Sequence, residues 1–288
     1  MRIATIICVL FCSAISVSAS TLASHFAQLN ALSPHPPGSD NHKKTRDYIV
    51  ASLKKTGAEV TIQAFAYTNP FSGPQKGYNI IATFKKGTTS IAFASHWDTR
   101  PVADREFSAA ARKKPVFGAN DGNSSTAVLL ALADEIGKRK KHTETIHLYF
   151  FDAEDSGVDA NTFCIGSQYF VKTTPPSIRF GILLDMIGDN DLQIYYEGYS
   201  YDAAPQLTKK VWDTARAMGY TFFHQSVRHY IVDDHKPFLD KGIPFIDIID
   251  FDYPQWHTLD DTPANCAVPN MEKIVQLVRK IAENSREH

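Results

Sequence analysis

Short apolar runs that end in acidic or histidine residues constrain the fold of this chain more than any other feature. Residues 91–94 and 147–151 are two such runs, and each is typical of a strand buried in a parallel sheet. The motifs, most of which follow such a run, are His96-Trp97-Asp98, 118–122, 152–155, 184–186, Asp233-Asp234-His235 and Trp256-His257-Thr258. Residues just past the C-terminal ends of parallel strands line the ligand crevice of an open α/β sheet, so these motifs are expected to converge.

The order of apolar patterns predicts an α/β fold. Strands are predicted at 60–65, 78–84, 91–94, 146–151, 180–184 and 244–249, with a turn-rich segment at 70–77. Helices are predicted from Ser39-Asp40 to Gly57, and over 124–136, 204–218 and 271–282. Helices that alternate with strands indicate a mostly parallel, twisted sheet with helices on both faces. We expect residues 20–288 to form a single domain.

The N-terminus has the pattern of a secretory signal peptide. Arg2 precedes the apolar stretch 3–15, and small residues follow at 16–20. We expect residues 1–19 to be removed and the protein to be exported, either to the periplasm or beyond the cell. A membrane anchor is the alternative, but the apolar stretch is short for a bilayer, and no other segment is a candidate span.

The net charge and the cysteines narrow the class of protein further. The formal net charge is -1 and no long basic run occurs, so nucleic-acid binding has no electrostatic support.

Removing the signal peptide removes Cys8 and Cys12 and leaves Cys164 and Cys266. Two cysteines in an exported protein suggest a disulfide, which would tether the loops that carry two of the motifs. Two free thiols are the alternative.

The residue types in the motifs suit a zinc ion, which binds imidazole nitrogen and carboxylate oxygen in tetrahedral geometry. Glu154 and Asp155 are adjacent after a buried strand, and two such carboxylates cannot both enter a core without a cation. One can bind metal while the other moves protons. Asp98 is close enough in sequence to hydrogen-bond His96 and orient it. The candidate site residues are His96, Asp121, Glu154, Asp155, Asp185 and His257.

The order of the motifs resembles the co-catalytic zinc aminopeptidase fold family, also described as phosphorylase/hydrolase-like, over about residues 78–258. This resemblance implies two zinc ions and a general base at Glu154. One ion would be held by His96, Asp121 and Asp185, and the other by Asp121, Asp155 and His257.

Within this fold the chain is more similar to the glutaminyl-peptide cyclotransferases, which use one zinc. Asp233 stands where aminopeptidases usually carry serine, and Trp256 directly precedes the histidine ligand, as in cyclases. The strings 96–101, 118–122, 164–169 and 179–185 are similar to those of bacterial cyclases of the animal type. Two positions depart from the animal enzymes, which have histidine in place of Asp247 and glutamate in place of Asp155. The Asp247 difference means that the resemblance does not define this part of the pocket wall. The Asp155 difference keeps a carboxylate at the position of the metal ligand.

The cyclase resemblance implies specific roles. The single zinc would be bound by Asp121, Asp155 and His257. Glu154 would act as acid and base, sharing protons with Asp185 and Asp233. Trp256 and Trp97, each beside a motif histidine, are candidate substrate-binding residues. The substrates would be peptides and proteins with N-terminal glutamine, converted to pyroglutamate with release of ammonia.

Two other functions remain open at this point. A di-zinc aminopeptidase would use His96 and Asp185 for a second ion, so the inventory of ligands alone does not separate it from a cyclase. An inactive binding ectodomain would have lost ligands or the base, whereas the complete set is present. The charged, alanine-rich loop 99–117 lies between two motifs and is either a rim or lid of the site or a solvated insertion. The sequence does not indicate the oligomeric state.

Overall fold

The structure is a computed structural model that describes residues 16–285 of the chain. Its helices are α1 Ser16–Ala31, α2 Asp40–Lys55, α3 Asn123–Arg139, α4 Ile165–Thr173, α5 Gly198–Ala203, α6 Pro205–Ala217, α7 Lys236–Leu239 and α8 Val268–Glu283. Its strands are β1 Glu59–Asn69, β2 Gly73–Phe84, β3 Ser90–His96, β4 Thr145–Phe151, β5 Gly181–Asp185, β6 Ile194–Glu197, β7 Phe223–His229 and β8 Phe245–Ile249. Two short 3₁₀ helices cover Ala111–Lys113 and Pro263–Asn265.

Six strands form the central sheet, in the order β1-β2-β4-β3-β5-β8. The β1-β2 and β2-β4 pairs are antiparallel, whereas β4-β3, β3-β5 and β5-β8 are parallel. The predicted α/β fold with a mostly parallel sheet is therefore confirmed. The strands β6 and β7 form a separate parallel pair. All four strands of the parallel part end at the same edge, which is where the motifs lie.

Apolar residues alternate between the two faces of the central sheet. Ile91 and Phe93 of β3 pack into the core shared with helices α1, α2, α3 and α8. Ala92 and Ala94 point the other way, into a smaller aromatic cluster. Because both faces of β3 are covered, its run is continuously apolar rather than alternating. The predicted placement of helices on both faces is confirmed.

The ends of the predicted helices follow the expected capping chemistry. The Ser39 side chain accepts a hydrogen bond from the His42 backbone at 3.1 Å, which caps α2 as predicted. Gly57 follows this helix with φ +84°, and Gly219 follows α6 with φ +83°. Positive φ is accessible to glycine without steric cost, so both residues end their helices, Gly57 at the predicted position.

Several elements differ from the sequence-based expectation. Strand β2 begins at Gly73, inside the predicted turn-rich segment, because β1 and β2 pair continuously from Asn69↔Gly73 to Glu59↔Thr83. The helix α4 and the strands β6 and β7 were not predicted. Most of β7 is exposed, so it lacks the apolar periodicity that reveals a half-buried strand.

The predicted signal peptide lies mostly outside the described residues. Residues 1–15 are not described, and α1 runs through the predicted cleavage point after Ala19. Beyond that point Leu22, Phe26 and Leu29 are buried in the main core, so the part of α1 that cleavage would leave belongs to the folded protein. Among residues 16–285, no helix has the length and hydrophobicity needed to span a membrane.

Candidate metal centre

The parallel strands deliver the predicted site residues to one edge of the sheet. His96 is the last residue of β3, and Asp185 is the last residue of β5. Glu154 and Asp155 follow the end of β4, and Asp121 lies just before α3. The predicted convergence of these motifs therefore occurs, and His257 joins them from the loop after β8.

Asp121, Asp155 and His257 form a buried group with the donor set of a metal site. One ligand atom from each lies within 4.8 Å of the others. The His257 Nε2 atom is 3.0 Å from Asp155 Oδ1 and 3.7 Å from Asp121 Oδ2. The Oδ2 atoms of Asp121 and Asp155 are buried and have no hydrogen-bond partner among the described residues. Buried carboxylate oxygens without partners are costly unless a cation binds them, so this group fits a zinc ion.

The electrostatics of this group point to the same conclusion. Burial, together with the charge of the neighbouring Asp155 carboxylate, raises the pKa of Asp121 to about 6. Burial lowers the pKa of His257, but the charge of Asp155 and the hydrogen bond to Asp104 more than offset this and raise it to about 9. The pocket therefore attracts positive charge, which a bound cation would supply in place of protons.

A second buried group contains His96, Asp121 and Asp185. The His96 Nε2 atom is 3.0 Å from Asp121 Oδ1 and 3.1 Å from Asp185 Oδ1. Asp121 thus belongs to both groups, which is the arrangement that the resemblance to two-zinc enzymes implied. The imidazole already lies within hydrogen-bond distance of both carboxylates.

Glu154 lies beside these groups with its carboxyl buried. Burial raises its pKa well above the ordinary value, and the nearby Asp233 and Asp155 carboxylates raise it further. The Glu154, Cys164 and Asp233 side chains offer ligand-type atoms within 4.8 Å of one another. Such a carboxyl can hold a proton at neutral pH and exchange it with a reacting group.

Cys164 and Cys266 are both free, so the predicted disulfide is wrong. The two thiols lie in different environments. The Cys164 thiol is buried and donates to Glu154 Oε1 at 3.2 Å. The Cys266 thiol donates to the Thr262 carbonyl at 3.8 Å. Sequence spacing did not reveal that Cys164 lies inside the site rather than at the outside of its loop.

Asp233 is part of a buried polar chain that extends behind Glu154. His235 Nε2 is 3.0 Å from Glu197 Oε2, and His235 Nδ1 is 3.7 Å from Asp247 Oδ2. Burial raises the pKa of Asp233 well above its usual range, and the charge of Asp185 adds to this effect. Burial raises the pKa of Asp247 well above its usual range, and the charge of Asp233 raises it further. The protons of these carboxyls are therefore mutually dependent.

A cavity of about 280 Å³ opens onto the metal group and Glu154. Trp256 lines it, as predicted, and its ring lies 4.1 Å from the His257 ring and 4.6 Å from the Phe251 ring, centroid to centroid. The polar residues of the cavity wall include Asp121, Glu154, Asp155, Asp185, Asp233 and His257. A larger surface depression of about 540 Å³, near Lys210, contains none of the predicted site residues. The smaller cavity, unlike this depression, is therefore a concave site lined by the predicted metal ligands and Glu154.

Trp97 does not line this cavity, in contrast to its expected role in substrate binding. Its ring is buried and stacked on the His42 ring, with centroids 4.3 Å apart. Its indole nitrogen donates to the Tyr78 carbonyl at 3.2 Å. At the end of a strand the side chains alternate in direction, so Trp97 points into the core while its neighbour His96 points into the site.

Buried carboxylates hold the functional loops by their backbone. Asp98 was expected to orient His96, but its oxygen is 3.7 Å from His96 Nδ1, too long for a hydrogen bond. Instead, the Glu154 and Asp155 backbone N–H groups donate to Asp98 at 3.1 and 3.3 Å.

Asp261 plays the corresponding role for the other loop, because the Asn120 and Asp121 N–H groups donate to it at 2.8 and 3.2 Å. Asp261 was not among the candidates predicted from the sequence, where its only signal was its position four residues after His257.

Unusual backbone conformations also gather at the site. Ala153, Cys164, Met186 and His257 have φ values of +57°, +56°, +43° and +59°, which are uncommon for residues other than glycine. Each either precedes, follows, contacts or is a site residue. Backbone of this kind persists where the surrounding structure fixes it, and it aims side chains that regular structure would not.

The loop 99–117 packs against the loop that carries His257, so it is not a free solvated insertion. The Arg105 N–H donates to the His257 carbonyl at 3.3 Å, and the Leu259 N–H donates to Glu106 Oε1 at 2.9 Å. The Arg105 guanidinium lies over the Trp256 ring, 4.0 Å from its centroid. This part of the loop forms a rim of the site, which is one of the two expected roles.

Comparisons with known proteins support the geometry. The sequence profile of peptidase family M28 matches residues 79–282. A glutaminyl-peptide cyclotransferase of Drosophila melanogaster is 25% identical over 87% of this chain and 77% of its own length.

Two solved structures share the fold across nearly their whole length. The glutaminyl cyclase of Porphyromonas gingivalis is 32% identical, with a TM-score of 0.88 over 93% of this chain and 98% of its own. A leucine aminopeptidase precursor of Bacteroides thetaiotaomicron is 31% identical, with a TM-score of 0.88 over 92% of this chain and 97% of its own.

Proposed function

The chain belongs to peptidase family M28, and on that basis we propose that it is a zinc-dependent glutaminyl-peptide cyclotransferase. It converts the N-terminal glutamine of peptides and proteins to pyroglutamate and releases ammonia. The observation that carries this proposal is the buried Glu154 carboxyl, which lies beside the metal group in a small cavity and within 4.8 Å of Asp233. A carboxyl of raised pKa in this position suits an internal proton transfer.

Asp121, Asp155 and His257 would hold one zinc ion. When bound, zinc supplies a Lewis acid that polarises the γ-carbonyl of the glutamine and stabilises negative charge on its oxygen. The three residues turn an imidazole nitrogen and two carboxylate oxygens toward one point. Three protein ligands leave a fourth position open, as a catalytic site requires.

Glu154 moves the proton that the reaction must relocate. The α-amine of the substrate attacks its own γ-carboxamide carbon, so a nitrogen–carbon bond forms and the bond to the amide nitrogen breaks. Glu154 accepts a proton from the attacking amine and delivers it to the departing ammonia. Proton transfer to and fro is efficient when the pKa of the carboxyl approaches the working pH, and burial moves the Glu154 pKa in that direction.

Asp185 and Asp233 influence the protonation of Glu154 during this step. The carboxylate of Asp233 lies close to Glu154, and its charge disfavours ionisation of Glu154. Asp185 is held by His96, whose Nε2 atom is 3.1 Å from Asp185 Oδ1. The charge of Asp185 also helps to raise the pKa of Asp233. A proton shared between these two carboxyls would turn Asp185 away from metal binding, so we assign one zinc ion to the site rather than two.

Trp256 forms the apolar wall against which the glutamine side chain packs. A cavity of about 280 Å³ accommodates a short side chain but little more of a peptide. The rest of the substrate would then leave past Tyr230 and Phe251, which also line the cavity. We propose peptides and proteins with N-terminal glutamine as the substrates.

Peptide hydrolysis by two zinc ions is the rival, since an aminopeptidase precursor shares the frame. Zinc content and ammonia release together separate the two. Zinc-saturated, washed protein should contain about one ion per chain, and chelation should abolish ammonia release from a glutamine peptide. About two ions per chain together with release of free amino acids would contradict the proposal.

We also propose that residues 1–19 are a signal peptide removed on export, and that residues 20–288 form one catalytic domain. The support is the charged, apolar and small-residue pattern of the N-terminus. N-terminal sequencing of the protein recovered from its native cell fractions tests this. A chain that retains Met1 in the cytosolic fraction would contradict export.

A further inference from the structure

We propose that Asp104 and Arg100, both in the rim loop, form an outer shell that sets the zinc affinity of the site. In this shell Asp104 fixes the orientation of His257, and Arg100 ties Asp104 to the ligand Asp155. The inference rests on the proposed zinc site and adds two positioning residues to it. Neither residue was a candidate in the sequence, because the proposed ligands that they contact, His257 and Asp155, lie far along the chain.

The first contact of this shell is between Asp104 and His257. Asp104 Oδ1 lies 3.3 Å from His257 Nδ1, on the side of the ring opposite to the metal group. When Nδ1–H donates to this carboxylate, the lone pair of Nε2 remains available, and Nε2 is the atom that faces Asp155 at 3.0 Å. A carboxylate that fixes a histidine in this way makes it a better metal ligand.

His257 depends on such a contact because regular structure does not hold it. Its backbone has φ +59° and lies in the loop after β8. Its carbonyl accepts a hydrogen bond from the Arg105 N–H at 3.3 Å. The same short segment of the rim loop therefore holds both the backbone and the ring of His257.

Arg100 connects the two halves of the shell. Its Nε and Nη2 atoms donate to the two carboxylate oxygens of Asp104 at 2.8 and 2.7 Å. Its Nη1 atom donates to Asp155 Oδ1 at 3.2 Å and to the Asp155 carbonyl at 3.0 Å. The paired contact with Asp104 uses the planar fork of the guanidinium, which fixes geometry as well as charge.

This arrangement leaves one oxygen of Asp155 for the metal. Arg100 occupies Asp155 Oδ1, while Asp155 Oδ2 has no hydrogen-bond partner among the residues described. The side chain of Arg100 is only 2% exposed, so water does not replace these contacts. The chain Asp155–Arg100–Asp104–His257 thus joins two proposed ligands from different loops.

The test is the zinc affinity of Asp104 variants, measured on metal-free protein by competition with a fluorescent chelator. Asp104→Asn and Asp104→Ala should weaken zinc binding by roughly 10- to 100-fold, with alanine the weaker binder. The Asp104 side chain is 46% exposed, so these variants should remain folded, as circular dichroism would verify. The matched control is Asp47→Asn, which removes a carboxylate from an exposed contact with Arg46 at 2.8 Å, on α2.

The outcomes separate this inference from the proposed function. If both Asp104 variants bind zinc as tightly as Asp47→Asn does, the outer shell is overturned. The proposed function would still stand in that case, provided that the wild-type protein binds zinc and cyclises glutamine. A wild-type protein that neither binds zinc nor cyclises glutamine would instead remove the premise. His257→Ala serves as the reference for the loss of a ligand, and it should bind more weakly than either Asp104 variant.

Discussion

Replacing Glu154 by glutamine isolates its role as a proton carrier. The amide has the size of the carboxyl and can still accept the hydrogen bond from the Cys164 thiol, which is 3.2 Å from Glu154 Oε1. It cannot take a proton from the substrate amine. The proposed ligands Asp121, Asp155 and His257 are unchanged, so zinc should remain bound.

The expected loss of rate follows from the chemistry of the step. Positioned acid–base catalysis typically contributes about 10²- to 10⁴-fold, which corresponds to about 3–5 kcal/mol of transition-state stabilisation. Stability should not fall, because burial raises the pKa of Glu154 and so disfavours its ionised form in the folded state at neutral pH. Glutamine resembles the protonated carboxyl, and the melting temperature should therefore be equal to or above that of the wild type.

The assay is ammonia release from a glutamine peptide, with zinc measured on the same samples by mass spectrometry. Glu59→Gln is the matched control, because Glu59 pairs with Lys85 at an exposed position of β1, away from the site. This control should keep the wild-type kcat. A Glu154→Gln variant with full zinc content and a wild-type kcat would refute the acid–base assignment.

Three further predictions follow from other contacts. Asp233→Ser should lower kcat by about tenfold or more with zinc retained, since it removes the carboxyl beside Glu154; an unchanged kcat would contradict the proton network. Cys164 and Cys266 should both react with a thiol reagent in denaturant, and a signal that appears only after reduction would restore the disulfide. Burial lowers the pKa of His35 to about 3, so its contribution to stability is complete above about pH 6.5 and is lost as the pH falls toward 3. When the pH is lowered from about 7.5 to about 5, the free energy of unfolding in urea should therefore fall by about 2 kcal/mol less for His35→Gln than for the wild type. An equal fall in both proteins would contradict the lowered pKa of His35.

The strands and the metal group could be predicted because one signal determines both. A strand covered on both faces must be continuously apolar, so β3, β4, β5 and β8 were visible as runs, and their ends marked the edge of the sheet. Residues placed at that edge had to meet. The prediction needed only local pattern and the rule that parallel strands share their ends.

The parts that failed depend on contacts between distant segments or on the direction of single side chains. Asp104 and Asp261 act through partners elsewhere in the chain, and no local pattern separates them from solvated acids. Trp97 and His96 are neighbours whose directions differ, and the sequence alone did not show which one enters the site. The strand β7 escaped because its exposed residues carry no apolar period.

The disulfide prediction failed for a related reason. In a chain that is expected to be exported, the number of cysteines suggests that a disulfide can form, but it does not show whether two cysteines lie close enough to form one. The Cys164 thiol instead donates a hydrogen bond to Glu154 Oε1 at 3.2 Å. The spacing of cysteines in the sequence does not distinguish a cysteine that packs against a reacting group from one that links two loops through a disulfide.

The most direct test of the central claim is mass spectrometry of two peptides incubated with the zinc-loaded protein, one beginning with glutamine and one with leucine. The account predicts that the glutamine peptide loses one ammonia while the leucine peptide stays intact. Release of free leucine without loss of ammonia would contradict it and identify the site as that of a peptidase.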